Sequence, residues 1–207
     1  METQLVLFII TSFVLIITPG QDMILVMSKS VAQGAKAGIA TAAGISVGLL
    51  GHTVLAAFGL GALLRTSEIF FICIKIFGAI YLFYLGFKLL QTKEDTLVLS
   101  NEPISTLKSL FFQGAISNIS NPKIAIFYFA FLPQFVPANS GNPTFMLLFL
   151  GSLFAFITFL VKAPIGYGAG SLSKWLRAKP SVQLWINRVS GGILVALGIK
   201  LAFEKRI

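Results

Sequence analysis

Asp22 is the only carboxylate deep inside a predicted apolar segment, and it follows the helix-breaking run Thr18-Pro19-Gly20. Proline removes a backbone N–H and glycine adds backbone freedom, so a helix entering this segment should break near residues 18–20. In lipid the freed backbone groups and the carboxylate are costly, about 2.5–3.5 kcal/mol for an aspartate alone on insertion scales. The break is therefore predicted to face a protein cavity in which something binds.

A second break of the same kind carries a cation where the first carries an anion. Asn121-Pro122-Lys123 interrupts the apolar segment 110–136, and Asn118 lies one turn earlier. Broken helices in two halves of a membrane chain are typical of transporter substrate sites. We therefore expect a single substrate-binding or coupling site that contains Pro19, Gly20, Asp22, Asn118, Asn121, Pro122 and Lys123.

These residue types suit a zwitterionic ligand. Its ammonium group needs an anion and its carboxylate needs donors, and Asp22, Lys123 and two half-helix N-termini could supply them. Asp22 is also the leading candidate to carry a coupled proton, with His52 second. The alternative is that Asp22 and Lys123 form a permanent buried ion pair that fixes the two halves of the protein.

His52 lies in the second apolar segment, one turn after Gly48 and on the same helical face. Gly44 and Gly48 have the small-xxx-small spacing that lets helix backbones approach closely. His52 either lines the site or hydrogen-bonds a neighbouring helix, and the sequence leaves both open. Lys162, in the fifth apolar segment, either partners His52 from the other half or extends its ammonium group toward the cytoplasm.

The composition places these residues in a membrane. The 207 residues are 56% hydrophobic and 11% charged, whereas a typical soluble domain is about 25% charged. Six apolar segments are each near the roughly 20 residues that a bilayer requires, at residues 5–27, 38–64, 69–90, 110–136, 145–170 and 184–203. We therefore predict an all-α integral membrane protein with six transmembrane helices, forming one transporter domain over residues 1–207.

An internal repeat divides this domain into two halves. Residues 82–89 align with residues 194–201 at both Leu pairs, the Gly, the Lys and the final Leu, although chance matches also occur in apolar helices. The polar stretch 91–109 is interpreted as the linker between repeat 1, about 1–90, and repeat 2, about 110–207. Three spans in each half would invert the second half, which predicts two inverted three-helix repeats with broken first helices.

The cations predict an orientation rather than a nucleic-acid partner. Although the net charge is +9, the Lys and Arg residues lie at the ends of apolar segments and form no basic stripe. The positive-inside rule places the regions near Lys93 and Lys174 in the cytoplasm and the turn near Asn139 outside. Residues 171–183 are then a basic cytoplasmic loop. A five-span topology with the N-terminus inside is the alternative.

Four groups of residues carry a resemblance to a known family: Thr18-Pro19-Gly20 with Asp22; Gly44, Gly48 and His52; Gly78-Ala79-Ile80-Tyr81-Leu82 with Gly86; and Asn121-Pro122-Lys123 with Phe131-Leu132-Pro133-Gln134-Phe135. They resemble the LysE/RhtB family of amino-acid exporters, of the homoserine, threonine and leucine efflux kind, over nearly the whole chain. The family usually has a second proline where this chain has Gln21, which either loosens the first break or adds a polar contact.

The resemblance implies export of small amino acids or their derivatives from the bacterial cytoplasm, driven by proton exchange across the inner membrane. The expected partners are therefore an amino-acid substrate, protons and the lipid bilayer, and the sequence leaves monomer and homodimer open. No cofactor, metal site or enzymatic activity is expected. A passive channel, a membrane scaffold and, less favoured, an intramembrane enzyme remain the alternatives.

Overall fold

The computed structural model describes residues 2–66, 68–92, 104–137 and 140–203, and every regular element in these ranges is a helix. The helices are α1 (Glu2–Ile17), α2 (Gln21–Gln33), α3 (Ala35–Thr66), α4 (Glu68–Leu90), α5 (Leu107–Ile119), α6 (Pro122–Ile126), α7 (Pro143–Tyr167), α8 (Ala169–Ala178) and α9 (Pro180–Phe203). A π-helical turn, Phe127–Phe131, and a 3₁₀ turn, Leu132–Phe135, continue α6. Lys93, Asn139 and most of the predicted linker lie outside the described residues.

The described helices confirm an all-helical membrane protein. Three segments are long and apolar enough to cross a bilayer: Ala35–Leu60, Pro143–Tyr167 and Ser181–Phe203. The pair Leu5–Ile17 and Gln21–Gln33, bent by 53°, adds a fourth if it is one span. Large apolar side chains such as Phe58, Ile80 and Phe156 point outward, which a soluble monomer rarely tolerates over so many positions. The six-span count stays a prediction.

Both predicted helix breaks are confirmed. The first apolar segment splits into α1 and α2 around Thr18-Pro19-Gly20, and the segment 110–136 splits into α5 and α6 at Asn121. Pro122 occupies the first turn of α6, where a missing N–H costs no helical hydrogen bond. The prolines therefore end one helix and permit the next to begin in a new direction.

Helix α3 packs against α2, α5 and α7, and its glycines bring α5 very close. A Cβ on Gly44 would overlap the carbonyl group of Phe111, and a Cβ on Gly48 would lie 2.8 Å from the Ala115 carbonyl oxygen. The packing role predicted for these two glycines is thus confirmed. This close approach holds the end of α5, which carries Asn118, against the middle of α3.

Helices α4 and α9 pack against each other in antiparallel directions. A Cβ on Gly86 would lie 2.8 Å from the Gly191 carbonyl oxygen, and one on Gly198 would lie 3.2 Å from the Ala79 carbonyl oxygen. Ascending positions on α4 therefore meet descending positions on α9. Opposite directions for these two helices are what an inverted repeat requires, although the repeat itself stays a prediction.

The basic stretch 171–183 is mostly helical, and its cytoplasmic location stays a prediction. Helix α8 occupies most of it, and α9 begins at Pro180 rather than at residue 184. Ala169 and Leu176 of α8 pack against Met23 and Met27 of α2. Apolar residues at helical spacing thus fold this basic stretch into an amphipathic helix, and the high count of polar residues concealed the pattern.

Candidate functional site

A small cavity lies where the two helix breaks meet. Its volume of about 20 Å³ leaves room for about one water molecule. Polar residues from both breaks and from α7 line it: Thr18, Gly20, Gln21, Asp22, Asn121, Lys123, Thr158 and Lys162. Residues more than 100 positions apart in the sequence are therefore brought together around one small space.

The Asp22 carboxylate binds both asparagines of the second break. Asn118 Nδ2 donates a hydrogen bond to Asp22 Oδ2 at 2.8 Å, and Asn121 Nδ2 donates one to Oδ1 at 3.1 Å. Asp22 also lies in the first turn of α2, where the helix dipole favours a negative charge. Buried to 6% exposure, the carboxylate thus keeps polar partners on both of its oxygens.

Asn121 joins the second break to the first through the two ends of one amide. While its Nδ2 group donates to Asp22, its Oδ1 atom accepts a hydrogen bond from the Lys123 backbone N–H at 3.1 Å and so caps α6. Its neighbour Asn118 is fully buried, and within the described ranges its Oδ1 atom has no hydrogen-bond partner. A free acceptor therefore remains beside the carboxylate.

Each proline leaves one carbonyl oxygen without its helical donor, and a different basic side chain lies within hydrogen-bonding distance of each oxygen. Pro19 has no N–H for the Leu15 oxygen, which accepts a hydrogen bond from Lys123 Nζ at 3.3 Å. Pro122 has none for the Asn118 oxygen, which lies 3.3 Å from His52 Nε2 and accepts from the Asn121 backbone N–H at 2.9 Å.

Asp22 and Lys123 line one cavity, as the sequence predicted, but they do not form the direct ion pair that was considered. In the described part of the chain, Asp22 binds two neutral amides and Lys123 binds a backbone carbonyl. The reason is the geometry of the breaks, which places freed carbonyl groups and asparagines nearer to the charges than the charges are to each other. Each charge is therefore bound by groups that a ligand can replace.

His52 lies next to this cavity rather than in its wall. Because the Asn118 carbonyl only accepts, His52 Nε2 must carry the proton of their hydrogen bond. The ring stacks on Tyr128 with centroids 5.5 Å apart, and His52 Nδ1 has no partner among the described residues. The sequence left open whether His52 lines the site or hydrogen-bonds a neighbouring helix. In the structure His52 makes the hydrogen bond.

Lys162 and Tyr128 are the residues whose positions sequence reasoning did not establish. Lys162 is 5% exposed and lines the cavity, so its ammonium group does not extend to the membrane surface. A lysine inside an apolar 25-residue helix was the available signal. Tyr128 is fully buried, donates to the Gly151 carbonyl oxygen and accepts from Thr53 Oγ1, both at 3.1 Å.

Gln21, where the family usually has a second proline, adds a polar contact between the two halves. Its Nε2 group donates to Ser117 Oγ at 3.1 Å. This was one of the two effects expected of the departure from the family pattern. The first break is thus connected to α5 by Gln21 as well as by the hydrogen bond between Asp22 and Asn118.

Comparisons with known proteins identify the family of this chain. The LysE type translocator family matches residues 13–205. The uncharacterized membrane protein YrhP of Bacillus subtilis (strain 168) is 33% identical over 206 residues, 95% of this chain and 97% of the relative. The leucine efflux protein of Enterobacter sp. (strain 638) is 25% identical over 199 residues, 94% of this chain and 93% of that protein.

A third relative, an uncharacterized membrane protein of Vibrio cholerae serotype O1, is 26% identical over 203 residues, 96% of each chain. No solved structure matches this chain. The family match covers both helix breaks, Lys162 and the antiparallel helices α4 and α9. The family resemblance predicted from the motifs is confirmed: this chain belongs to the LysE type translocators and is a multi-pass membrane transport protein.

Proposed function

We propose that the chain is a secondary transporter that exports small amino acids or their derivatives across the bacterial inner membrane in exchange for protons. The observation that carries this proposal is the convergence of one carboxylate and two lysines, Asp22, Lys123 and Lys162, on one small cavity between two broken helices. The relative named as a leucine efflux protein supports the amino-acid class.

The charged side chains that line the cavity are complementary to the ammonium and carboxylate groups of an amino acid. An ammonium group can replace the amides that donate to Asp22, and a carboxylate can replace the Leu15 carbonyl as the acceptor for Lys123. In the contacts with substrate both partners carry a charge, whereas in each contact that they replace only one partner does. Substrate binding would thus exchange contacts between the two halves of the protein for contacts with the ligand.

The cavity must also enlarge. At about 20 Å³ it holds a water molecule but no amino acid. Four hydrogen bonds around the cavity connect the α1–α2 segment with the α5–α6 segment. They join Asp22 to Asn118, Asp22 to Asn121, Lys123 to Leu15 and Gln21 to Ser117. Release of these bonds lets the breaks separate, which is the movement that alternating access requires.

Proton exchange follows from competition at one carboxylate. An ionised Asp22 attracts the substrate's ammonium group, whereas a protonated Asp22 carries no charge to attract it. Proton and substrate therefore exclude each other at this residue, which couples the movement of one to the countermovement of the other. We assign the coupled proton to Asp22 and give His52, outside the cavity wall, a positioning role.

Counterflow in proteoliposomes tests the proposal. Purified protein is reconstituted with a high internal concentration of one unlabelled amino acid, and entry of trace label is followed for a panel of amino acids. A carrier accumulates label transiently, and an imposed pH gradient then drives net movement. Empty liposomes are the control. Equilibration without accumulation would indicate a channel, conversion of the solute an enzyme, and no movement of any panel member a non-transporting scaffold; each would contradict the proposal.

A further inference from the structure

A second cavity adjoins the first. It has a volume of about 10 Å³ and lies between α4, α6 and the π-helical turn. Leu15 and Lys123 line both cavities. We call these two shared residues the wall, and the hydrogen bond from Lys123 Nζ to the Leu15 oxygen, 3.3 Å long, joins them.

This wall can open when a ligand binds. The Leu15 oxygen accepts from Lys123 because Pro19 lacks an N–H, so a single side-chain hydrogen bond closes the wall at this point. A substrate carboxylate that binds Lys123 competes directly with the Leu15 carbonyl. Release of that bond would join the two cavities next to Lys123, where the substrate's carboxylate would be bound.

The two cavities differ in chemistry. The first contains the charged residues Asp22, Lys123 and Lys162. The second, apart from Lys123 and the half-buried Tyr81, is lined by apolar residues, among them Gly78, Leu82, Leu85, Phe127 and Ala130. A hydroxyl or amide group placed among these side chains would lose its hydrogen bonds with water and gain few in return.

We propose that the second cavity is the subsite for the substrate's side chain and that it selects amino acids with an aliphatic side chain, such as valine and leucine. The inference rests on the proposed function and adds the substrate class to it. Each methylene group buried there raises affinity roughly fourfold. Threonine has the shape of valine but carries a hydroxyl group, so it should bind much more weakly.

The test compares counterflow rates of glycine, alanine, valine, threonine, leucine and phenylalanine in proteoliposomes. For the wild type we expect valine to exceed threonine at least tenfold. Leu82→Ala should enlarge the subsite and raise the ratio of phenylalanine to leucine transport several-fold. Leu194→Ala is the matched control, because Leu194 is an equally buried leucine of α9 that lines neither cavity.

Leu85→Phe supplies a second variant that fills the subsite without creating a cavity, in case Leu82→Ala impairs folding. It should reduce leucine transport at least tenfold while alanine transport changes little. Equal wild-type rates for valine and threonine, equal profiles for Leu82→Ala and Leu194→Ala, or equal losses of alanine and leucine in Leu85→Phe would overturn the subsite alone. A wild type that moves none of the amino acids would overturn the proposed function and the subsite with it.

Discussion

Lys123 donates a hydrogen bond from Nζ to the backbone oxygen of Leu15, 3.3 Å away and 108 positions earlier in the chain. The acceptor is free because the residue four positions later is Pro19, which has no N–H. A helix break in one half of the chain therefore creates the partner for a cation in the other half. The contact joins the two breaks and lies beside Asp22, the carboxylate that lines the same cavity.

Pro19→Ala should reduce transport at least tenfold while membrane insertion survives. Alanine restores an N–H to the Leu15 oxygen, which straightens the α1–α2 junction and releases Lys123. Pro122→Ala should act in the same way, since it offers the Asn118 oxygen a backbone donor in competition with His52. Export rates are measured at matched membrane levels of protein. Normal rates for both variants would mean that the breaks do not form the site.

Gly48→Ala should lower stability by about 1–3 kcal/mol and also reduce transport. The new Cβ would lie 2.8 Å from the Ala115 carbonyl oxygen and 3.0 Å from the side chain of Asn118. It would therefore displace Asn118, which donates a hydrogen bond to Asp22. Thermal unfolding in detergent measures the first effect and counterflow the second. Gly51→Ala on the same helix is the control, because its new Cβ would lie 4.0 Å from the nearest side-chain atoms of α5, those of Ile119. Equal behaviour of the two variants would refute the packing argument.

His52→Gln should retain pH-driven transport, because an amide can still donate to the Asn118 carbonyl oxygen and does not titrate. His52→Leu removes the donor and should cost about 1 kcal/mol of stability, with weaker transport. Initial transport rates over a range of pH gradients distinguish a hydrogen-bonding role of the His52 ring from a role as carrier of the coupled proton. Transport by His52→Gln that no longer responds to the pH gradient would assign the coupled proton to His52 instead of Asp22.

Orientation can be checked by cysteine labelling in intact cells. In a Cys73→Ser background, cysteines near Lys93 and Lys174 should react with a membrane-impermeant reagent only after permeabilisation, and a cysteine at Asn139 should react without it. The cation bias of the loops is the physical reason for this expectation. Labelling of the Asn139 position only after permeabilisation would reverse the predicted orientation.

The sequence predicted the features that depend on local chemistry. Pro19 and Pro122 locate the breaks because proline acts on its own helix, and glycine spacing predicted the close approach of α3 and α5. Partners that depend on the folded arrangement of distant segments could not be predicted. The direct ion pair between Lys123 and Asp22 is absent because Lys123 donates to the carbonyl that Pro19 frees, and Lys162 enters the cavity from α7.

The central claim is that Asp22 and Lys123 bind substrate and couple its movement to protons. The most direct test is pH-driven export by Asp22→Asn, Lys123→Met and the double variant in proteoliposomes. Asp22→Asn should lose pH-driven transport and keep at most a pH-insensitive exchange, and Lys123→Met should impair binding. Charges with a purely structural role can be removed together at little cost in stability, so the double variant would then recover. We predict no recovery; substantial pH-driven export by the double variant would contradict the claim and leave both residues as an architectural clamp.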